Sequence, residues 1–438
     1  MVHEKFFLLK RKIGEERMRK KLAIIGLGYV GLPLLVKLSD HYNVLGYDID
    51  QLRINELNRG YDRTGEISKK DLGLVGNQTF SSNKDDLRFS QIFIVTVPTP
   101  VDIANNPDLS LIKKACFLIA EYLKKDDIVI FESTVFPGAT REVCIPILEK
   151  ISGLKLNIDF GVGYSPERIN PGDKKHNIQD VVKITSGSNA ETLKKVDEIY
   201  KKIINAGTFQ TSSIEVAEAA KIIENTQRDI NIALMNELSI IFNKLNISSK
   251  EILEAAMTKW NFLNFNPGLV GGHCIGVDPY YLTYKAMEIG YKPELILAGR
   301  KINDSMPIYV VSEFIKLAVK KNVLEKSKRI LVMGITFKEN CPDIRNSKSI
   351  EIVNELLTYA LDVDIFDPVA NSDDSIRNKN LKNITSLTYK SYAGIIVSVA
   401  HEEFKKIDIL FLRSLCIEDG IIFDVKNLYP SRHTDLRL

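Results

Sequence analysis

The first half of the chain alternates short apolar runs, rich in β-branched residues, with segments of helical periodicity. Residues 21–26 read as a buried strand that leads into a Gly-rich turn and an apolar helix, and a second strand ends at Asp48. Further strand-like runs cover 92–100 and 127–135, with helical patterns between them. Strands that alternate with helices predict a doubly wound α/β domain with a parallel sheet.

The pattern then changes to one uninterrupted helix, from about 213 to 245, without Gly or Pro. Its length is typical of a connecting or dimer-forming helix, and Ser248 fits the N-cap of a further helix. Its apolar residues recur at helical spacing and form a single stripe. The stripe consists of Val216, Ala220, Ile223, Ile230, Leu234, Leu238 and Ile241.

A second set of alternating strands and helices begins near Lys328 and lacks a Gly-rich fingerprint. We therefore expect an α/β protein with two Rossmann-like, doubly wound parallel-sheet domains, joined by a long helix and a central helical dimerisation segment. We divide the chain into an unassigned extension at 1–17, an α/β domain at 18–212, a helical segment at 213–326 and a C-terminal α/β domain at 327–438.

The charges and cysteines narrow the classes of function. The chain of 438 residues carries 59 basic and 56 acidic residues, a net charge of +3, which leaves no basic excess for nucleic-acid binding. No apolar stretch reaches the roughly 18 residues of a membrane-spanning helix. Five scattered cysteines, without a CxxC pair or a Cys/His cluster, fit a reducing cytoplasm and argue against a structural metal site. We therefore expect a cytoplasmic protein without a metal, nucleic-acid or membrane partner.

The turn after the first strand reads Gly26-Leu-Gly28-Tyr-Val-Gly31 and opens a helix. Such glycines allow a tight turn and a close approach of the backbone to a pyrophosphate, which the helix N-terminus then attracts. Asp48 ends the second strand, where an acidic residue binds the adenine ribose hydroxyls and repels a 2′-phosphate. The pattern predicts NAD rather than NADP; the alternative is a βα turn without a ligand.

A second Gly-rich segment, Gly271-Gly-His-Cys274, precedes Asp278. The glycines let backbone approach a ligand and expose the thiol, and a thiolate can attack an aldehyde to give a thiohemiacetal. The alternative is that Cys274 is a small buried hydrophobic residue. His273 is more typical of a structural residue than of a base, since adjacent side chains often point apart.

The long helix carries Lys221, Asn225 and Arg228 at spacings that place them on one face. A cation and an amide there can stabilise an alkoxide or an oxyanion, although such a face is also typical of a solvated helix. Three strand-end motifs, 97–100, 133–138 and 165–170, suit a ligand site beyond the carboxyl ends of the strands. Taken singly, each of them is an ordinary turn.

Together these motifs resemble the nucleotide-sugar 6-dehydrogenase family. The resemblance covers about residues 20–430 and includes GLGYVG, VPTP, STVFPG, SPE, EAAKIIEN, GGHC and TFKENCPDIRNS in the family's order. It implies two successive NAD-dependent oxidations at C6 of a nucleotide sugar, by a homodimer formed through the long helix.

The resemblance also implies a role for individual residues. Cys274 is similar to the nucleophile that forms the thiohemiacetal and thioester, and Glu167 to the base for thioester hydrolysis. Lys221 and Asn225 match the residues that hold the oxyanion, and Thr134 and Asp278 the pair that orders a water. The implied cofactor contacts are Gly26, Gly28, Tyr29, Val30, Gly31, Asp48, Arg53, Thr96, Pro98, Thr99, Ser133, Thr134 and Arg345. The implied substrate contacts are Glu167, Arg168, Ile169, Asn170, Lys221, Asn225, Arg228, Gly271 and Lys338.

Two departures bear on the sugar. Members that act on UDP-glucose usually read GFGGSC and PEFL where this chain reads LVGGHC and PERI. The run GGHCIGVDPYYL is instead similar to the subgroup that acts on UDP-N-acetylhexosamines. That likeness implies oxidation of UDP-N-acetylglucosamine, ahead of UDP-N-acetylgalactosamine, to a uronate for capsule or O-antigen polysaccharide. UDP-glucose and UDP-N-acetylmannosamine stay open as substrates.

Two other classes of function compete with this interpretation. A nucleotide-sugar epimerase would use a Tyr-x-x-x-Lys pair, a spacing that Tyr281 and Lys285 match. Such enzymes carry the pair early in the fold and a GxxGxxG turn, so we interpret the match as accidental. A catalytically silent homologue would be expected to have lost Cys274, Lys221 or Glu167, and all three are present.

Overall fold

The computed structural model describes residues 21–73, 78–102, 104–168, 177–370, 381 and 383–438, and the predicted extension 1–17 lies outside them. The chain forms two compact units. The first contains the described residues up to Ile223 together with Tyr280–Glu288, and the second contains Glu224–Pro279 and Ile289–Leu438. The three-part division of the sequence stays a prediction.

The first unit is built on one sheet. Its strands are β1 (Lys21–Ile25), β2 (Asn43–Tyr47), β3 (Gln78–Ser81), β4 (Ile92–Val95), β5 (Ile128–Phe131), β6 (Gly161–Tyr164), β7 (Lys183–Gly187) and β8 (Thr208–Gln210). They lie in the order β3-β2-β1-β4-β5-β6-β7-β8. All neighbours are parallel except β6 and β7, which are antiparallel. Because β4, β5 and β6 are buried at every residue, they have the character of strands covered on both faces.

Helices connect these strands as the alternating pattern predicts. The apolar helix after the Gly-rich turn packs its leucines into a core with β1, β2 and β4. The helices are Gly31–Leu38, Gln51–Asn58, Lys69–Gly73, Ser110–Ala120, Ile145–Ser152 and Ala190–Lys201, with a 3₁₀ turn at Lys84–Phe89 and a π-helical turn at Thr140–Cys144.

The second unit contains a smaller parallel sheet. Its strands are β9 (Arg329–Met333), β10 (Asp362–Phe366), β11 (Tyr392–Val397), β12 (Cys416–Asp424) and β13 (Leu436–Arg437), in the order β10-β9-β11-β12-β13. The helices of this part of the chain are Ser249–Ala256, Glu294–Lys320, Val323–Lys326, Lys348–Thr358, Glu402–Lys405 and Ile409–Leu415. The structure thus confirms two parallel-sheet α/β parts with helices between them.

The predicted long helix spans Ile214–Lys244, and Ser248 caps the next helix by accepting a hydrogen bond from the backbone N–H of Glu251. On the long helix Ile222 and Met235 are buried, whereas Leu234 and Ile241, seven residues apart and therefore on one side, are exposed. None of the helices in the described ranges is both long and apolar enough to cross a bilayer. Helix Asp278–Glu288 begins in the second unit and continues in the first.

Candidate active site

The Gly-rich turn fits the pyrophosphate of a dinucleotide. Gly26 has φ +98° and its N–H donates to the carbonyl of Tyr47 over 2.8 Å. A Cβ on Gly31 would lie 1.9 Å from the carbonyl oxygen of Gly26, so this position closes the turn against the helix. A Cβ on Gly28 would meet nothing within 4 Å. Gly28 is therefore where a ligand can approach the backbone, next to the positive end of the helix.

Asp48 and Arg53 support this turn from the next strand and helix. Oδ2 of Asp48 accepts the N–H of Leu27 over 2.9 Å, and Oδ1 accepts the N–H of Asp50. Arg53 is buried; its Nε donates to the carbonyl of Leu27, and its guanidinium pairs with Asp62 over 2.7 Å. Arg53 thus braces the turn, and its contact with a ribose stays a prediction.

Hydroxyl groups fix the ends of β1, β4 and β5. Thr96 Oγ1 donates to the carbonyl of Gly26 over 2.7 Å, and Ser133 Oγ donates to that of Val97 over 2.6 Å. Thr99 Oγ1 donates to the carbonyl of Thr134 over 2.6 Å. These bonds join the predicted motifs into one edge of the sheet. Tyr29, Val30 and Thr134 are half-buried there, and Pro98 is exposed.

Glu167, the predicted base, belongs to a buried ionic cluster that the sequence analysis missed. Its Oε2 lies 3.1 Å from Nζ of Lys183, which also binds Glu132 over 2.8 Å. The sequence does place Glu132 and Lys183 directly beside apolar strand runs. Because buried charges need partners, that placement could have predicted a buried ion pair. Arg168 points elsewhere and donates to the carbonyl of Val182. The predicted substrate contacts Ile169 and Asn170 lie outside the described residues.

In the second unit, Cys274 and Asp278 lie at the two ends of one turn. The N–H groups of Val277 and Asp278 donate to the carbonyl of Cys274 over 3.0 and 2.8 Å. Asp278 is buried, and its Oδ2 accepts from Nδ2 of Asn225 over 2.6 Å. The structure therefore brings Asn225, predicted on the long helix, to the Gly-rich segment that carries Cys274 and Asp278. Arg228, three residues after Asn225 on the long helix, is exposed.

Lys221 lies on the long helix one turn before Asn225 and belongs to the first unit. Its side chain is buried, unlike that of a residue on a solvated helix face. The alternative that this helix face is wholly solvated is therefore wrong for Lys221. Its role toward an oxyanion stays a prediction.

The loop that carries Cys274 packs on the loop 336–347. The N–H of Gly272 donates to the carbonyl of Asn346 over 3.1 Å, and a Cβ on Gly271 would lie 2.6 Å from the same oxygen. Close backbone contact thus accounts for the glycine at position 271, and its contact with the substrate stays a prediction. Lys338 is half-buried in this loop, with Nζ 5.5 Å from the centre of the Phe337 ring.

His273 is anchored rather than aimed at the thiol. Its Nε2 lies 3.4 Å from Oδ2 of Asp343, which also binds the guanidinium of Arg345 over 2.6 Å. Burial would raise the pKa of Asp343, but hydrogen bonds from His273 and Arg345 outweigh it and hold this pKa well below its ordinary value. Arg345, the predicted cofactor contact, is exposed and oriented by the same carboxylate.

The thiols differ in access. All five cysteines lie in the described residues, and Cys274 is half-buried whereas Cys116, Cys144, Cys341 and Cys416 are buried. Burial raises the pKa of Cys416 to about 12. A hydrogen bond that the Cys144 thiol shares with Cys116 and that favours the protonated form, together with burial, holds the pKa of Cys144 well above its ordinary value. Since the thiolate is the nucleophile, Cys274 is the one best placed to react.

The Tyr281–Lys285 pair that an epimerase would need is used structurally. Tyr281 is fully buried and its hydroxyl donates to the carbonyl of Thr99 over 2.5 Å. Nζ of Lys285 lies 2.7 Å from Glu142 and 2.9 Å from Glu288. In the described ranges, no group of three or more His, Cys, Asp or Glu side chains is arranged to hold a metal ion.

Comparison with known proteins identifies the family. The NAD binding, central and UDP binding domains of the UDP-glucose/GDP-mannose dehydrogenase family match residues 20–204, 215–305 and 331–431. The chain belongs to the UDP-glucose/GDP-mannose dehydrogenase family, and is an NAD-dependent oxidoreductase with a UDP binding domain. It is 52% identical over 418 residues to a UDP-N-acetyl-D-glucosamine 6-dehydrogenase from Pseudomonas aeruginosa, covering 95% of this chain and 99% of the relative.

Other relatives agree with this membership. Protein CapL from Staphylococcus aureus is 49% identical over 416 residues, covering 94% of this chain and 97% of the relative. The solved structure of UDP-D-ManNAc dehydrogenase from Pyrococcus horikoshii matches with a TM-score of 0.83 and 29% identity, covering 94% of this chain and 96% of that one.

Proposed function

We propose that this enzyme oxidises the C6 hydroxyl of UDP-N-acetylglucosamine to the uronate, with UDP-N-acetylgalactosamine as the second substrate. The observation that carries the proposal is the identity of 52% to a relative named for the first of these sugars. A Salmonella typhi relative with the same name is 49% identical over 418 residues. The run GGHCIGVDPYYL, which the sequence analysis connected with N-acetylated sugars, supports the same choice.

The residues of this chain supply the chemistry at C6. NAD⁺, when bound, accepts hydride in both oxidations. Lys221 and Asn225 stabilise the oxygen at C6 as it develops negative charge, because a cation and an amide lower the energy of an oxyanion. Loss of the hydroxyl proton and of the first hydride gives an aldehyde at C6. The Sγ of Cys274, as the thiolate, adds to the aldehyde carbon while the oxygen at C6 takes up a proton, which gives a thiohemiacetal. Loss of the second hydride and of that proton leaves a thioester.

Hydrolysis of the thioester releases the product. Asp278 and Thr134 orient a water molecule, and Glu167 takes its proton as the oxygen attacks the carbonyl carbon. The C–S bond breaks with its electron pair on Sγ of Cys274. The pairing of Asp278 with Asn225 supports this assignment, since it fixes the carboxylate one turn from the thiol.

The test is the yield of NADH from purified enzyme, NAD⁺ in excess and one limiting sugar at a time. UDP-N-acetylglucosamine should give two NADH per sugar, with UDP-N-acetylgalactosamine slower and UDP-glucose and UDP-N-acetylmannosamine slowest. Two NADH from UDP-glucose alone would overturn the choice of sugar. No NADH from any sugar, with NAD shown to bind, would revive the epimerase or the silent homologue.

We further propose that the enzyme acts in the cytoplasm and that its uronate product is a precursor of a capsule or O-antigen polysaccharide. The likeness to Protein CapL supports a place in capsule synthesis. Deletion of the coding sequence should remove the N-acetylated uronic acid from the hydrolysed polysaccharide, and a chain with Cys274→Ser should fail to restore it. Restoration by that variant would contradict the proposal.

We propose a homodimer formed through the long helix. Large apolar side chains are exposed at Leu234 and Ile241 on this helix and at Leu245 just after it, at spacings of seven and four residues. An exposed apolar stripe is typical of a helix with a partner. Sedimentation of the parent protein should give twice the mass of one chain. The double variant Leu234→Asp/Ile241→Asp should sediment with the mass of a single chain. A double variant that stays dimeric would place the interface elsewhere.

A further inference from the structure

Four ionisable side chains meet inside the first unit, beside the end of its sheet. Glu132 follows β5, Glu167 follows β6, Lys183 begins β7, and Tyr200 lies on helix Ala190–Lys201. Glu132 and Lys183 are 2% exposed, Glu167 is 8% exposed and Tyr200 is fully buried. Burying these charges costs desolvation free energy. Apolar residues of similar size could fill the same space without that cost, if the cluster were only structural.

The contacts divide the cluster into an inner pair and an outer carboxylate. Nζ of Lys183 lies 2.8 Å from Oε2 of Glu132 and 3.1 Å from Oε2 of Glu167. The hydroxyl of Tyr200 donates to the other oxygen of Glu132, and Nζ of Lys183 also lies 5.2 Å from the centre of the Tyr200 ring. Tyr200 and Glu132 therefore hold Lys183 in one place, and Lys183 holds Glu167.

The charges explain why two carboxylates share one cation. With Glu132 and Glu167 both ionised, the cluster carries one negative charge in excess. When Glu167 takes a proton, the cluster becomes neutral and Lys183 keeps its partner Glu132. Without Glu132, the same protonation would leave a buried ammonium unpaired, which is strongly unfavourable. Glu132 thus allows Glu167 to gain and lose a proton within a buried site.

We propose that Lys183 and Glu132 are positioning residues for hydrolysis: Lys183 orients Glu167 and favours its ionised form, and Glu132 balances Lys183 while Glu167 carries the proton. The proposal deepens the proposed function and rests on it, since it takes Glu167 as the base. In the step concerned, the water oxygen bonds to the thioester carbon, its proton passes to Glu167, and the C–S electron pair remains on Cys274 until Sγ is protonated.

Burial and the neighbouring charges act on the members of the cluster in opposing directions. Burial raises the pKa of Tyr200 well above its ordinary value, so the hydroxyl stays protonated and can donate. Burial also raises the pKa of Glu132, against the opposing effect of Lys183. Lys183 keeps a raised pKa, because the two carboxylates outweigh its desolvation. Of the neighbouring groups, Arg168 offers Glu167 its backbone N–H over 2.6 Å, and Ser165 donates to the carbonyl of Ile184.

The experiment follows the decay of the enzyme-bound thioester in single turnovers, by acid quench and intact mass, across pH. In Glu132→Gln the acidic limb of the decay rate should move about one pH unit lower, since loss of a neighbouring anion favours ionised Glu167. In Lys183→Met the acidic limb should move at least about one pH unit higher, because Glu167 has then lost the cation and keeps only the like charge of Glu132 beside it. The double variant should lie between them.

The controls separate folding from positioning. Lys195→Met removes a lysine from the same helix as Tyr200 whose ion-pair partner, Glu191, is exposed, and it should leave the limb unchanged. If Lys183 and Glu132 were only structural, their variants would lower the rate of thioester decay at every pH without moving its acidic limb. Limbs of both variants that coincide with that of the parent enzyme would therefore overturn the positioning role. Melting temperature and NAD affinity show which variants fold, and Glu132→Gln, which keeps the side-chain shape, carries the test if Lys183→Met does not fold.

The failure of the proposed function is visible separately. If the parent enzyme forms no thioester, or if Glu167→Gln hydrolyses it at the parent rate, then Glu167 is not the base and the proposed function falls. If Glu167→Gln accumulates thioester while Glu132→Gln and Lys183→Met leave the limb in place, only the positioning role falls.

Discussion

Two glycines in one turn serve different purposes at the residue scale. A Cβ on Gly31 would overlap the carbonyl of Gly26, whereas a Cβ on Gly28 would enter open space. We expect Gly31→Ala to lower the free energy of unfolding by about 1–3 kcal/mol, as overpacking does. Gly28→Ala should keep the stability of the parent and weaken NAD binding.

Thermal melting and titration with NAD, each applied to both variants, measure this difference. The variants are matched controls for each other, because both add one methyl group to the same turn. Equal loss of stability in the two would mean that Gly28 is also packed against the protein. Unchanged NAD affinity in Gly28→Ala would mean that the cofactor does not approach the turn at this position.

The sequence predicted residue types better than their partners. Asn225 was predicted on the long helix, apart from the segment with Cys274 and Asp278, and the structure adds the bond between Asn225 and Asp278. Arg53 was predicted from the family resemblance, which does not reveal the buried Asp62 that its guanidinium meets. Partners of this kind come from elements that only the tertiary fold brings together, so no local pattern contains them.

At the scale of elements, a buried asparagine holds the start of the loop that leads to Cys274. Oδ1 of Asn236 accepts the N–H of Gly268 over 2.7 Å, and its Nδ2 donates to the carbonyl of Gly268 over 3.0 Å. Asn236→Ala would leave both peptide groups without these partners, at about 1–3 kcal/mol for each buried group. We expect a lower melting temperature and faster hydrogen exchange in the segment 268–274.

Asn231→Ala is the matched control. Nδ2 of Asn231 donates to the carbonyl of Gln227 on the same helix, and the side chain is partly exposed. Its loss should change the free energy of unfolding by no more than about 0.5 kcal/mol. Parent-like exchange of the segment 268–274 in Asn236→Ala would contradict the role given to Asn236.

A second element depends on a buried acid. Glu218 on the long helix accepts the N–H groups of Gly138 and Thr140 over 2.6 and 2.9 Å, at the start of the π-helical turn. Burial raises its pKa to about 7, despite these hydrogen bonds. The native protein then binds this proton more tightly than the unfolded chain, whose glutamates have a pKa of about 4.3. The stability linked to Glu218 is therefore fully present below about pH 4.3 and is lost as the pH rises to 7.

Unfolding by urea at several pH values tests this linkage. Between about pH 5.5 and 8, the parent should lose about 2 kcal/mol relative to Glu218→Gln. Other titrating groups cancel in this difference, since both proteins contain them. A difference that does not change with pH would show that Glu218 has an ordinary pKa in the native protein.

The two sheets repeat one turn, which the sequence did not reveal. Gly334 has φ +86° and donates to the carbonyl of Phe366, as Gly26 donates to that of Tyr47. Asp367 accepts the N–H of Ile335, as Asp48 accepts that of Leu27. The second turn lacks the later glycines of the first, so the fingerprint was absent although the hydrogen-bond pattern is the same.

At the scale of the whole molecule, the sequence predicted the class of fold because buried parallel strands leave continuous apolar runs. It did not predict the antiparallel pairing of β6 with β7, since an apolar run has no direction. The predicted site residues divide between the units: Glu167 and Lys221 belong to the first, and Cys274 and Asp278 to the second.

The access of the five thiols, taken over the whole chain, predicts the outcome of chemical labelling. Cys274 is half-buried and the other four are buried, two of them with a raised pKa. Iodoacetamide near neutral pH should therefore add one label per chain, at Cys274, and abolish uronate formation. Peptide mass spectrometry locates the label, and the NADH yield measures the activity. Cys274→Ser is the control, which should remain unlabelled over the same time and stop short of the uronate. Labelling of a buried cysteine first, or full activity after labelling of Cys274, would remove this thiol from the proposed reaction.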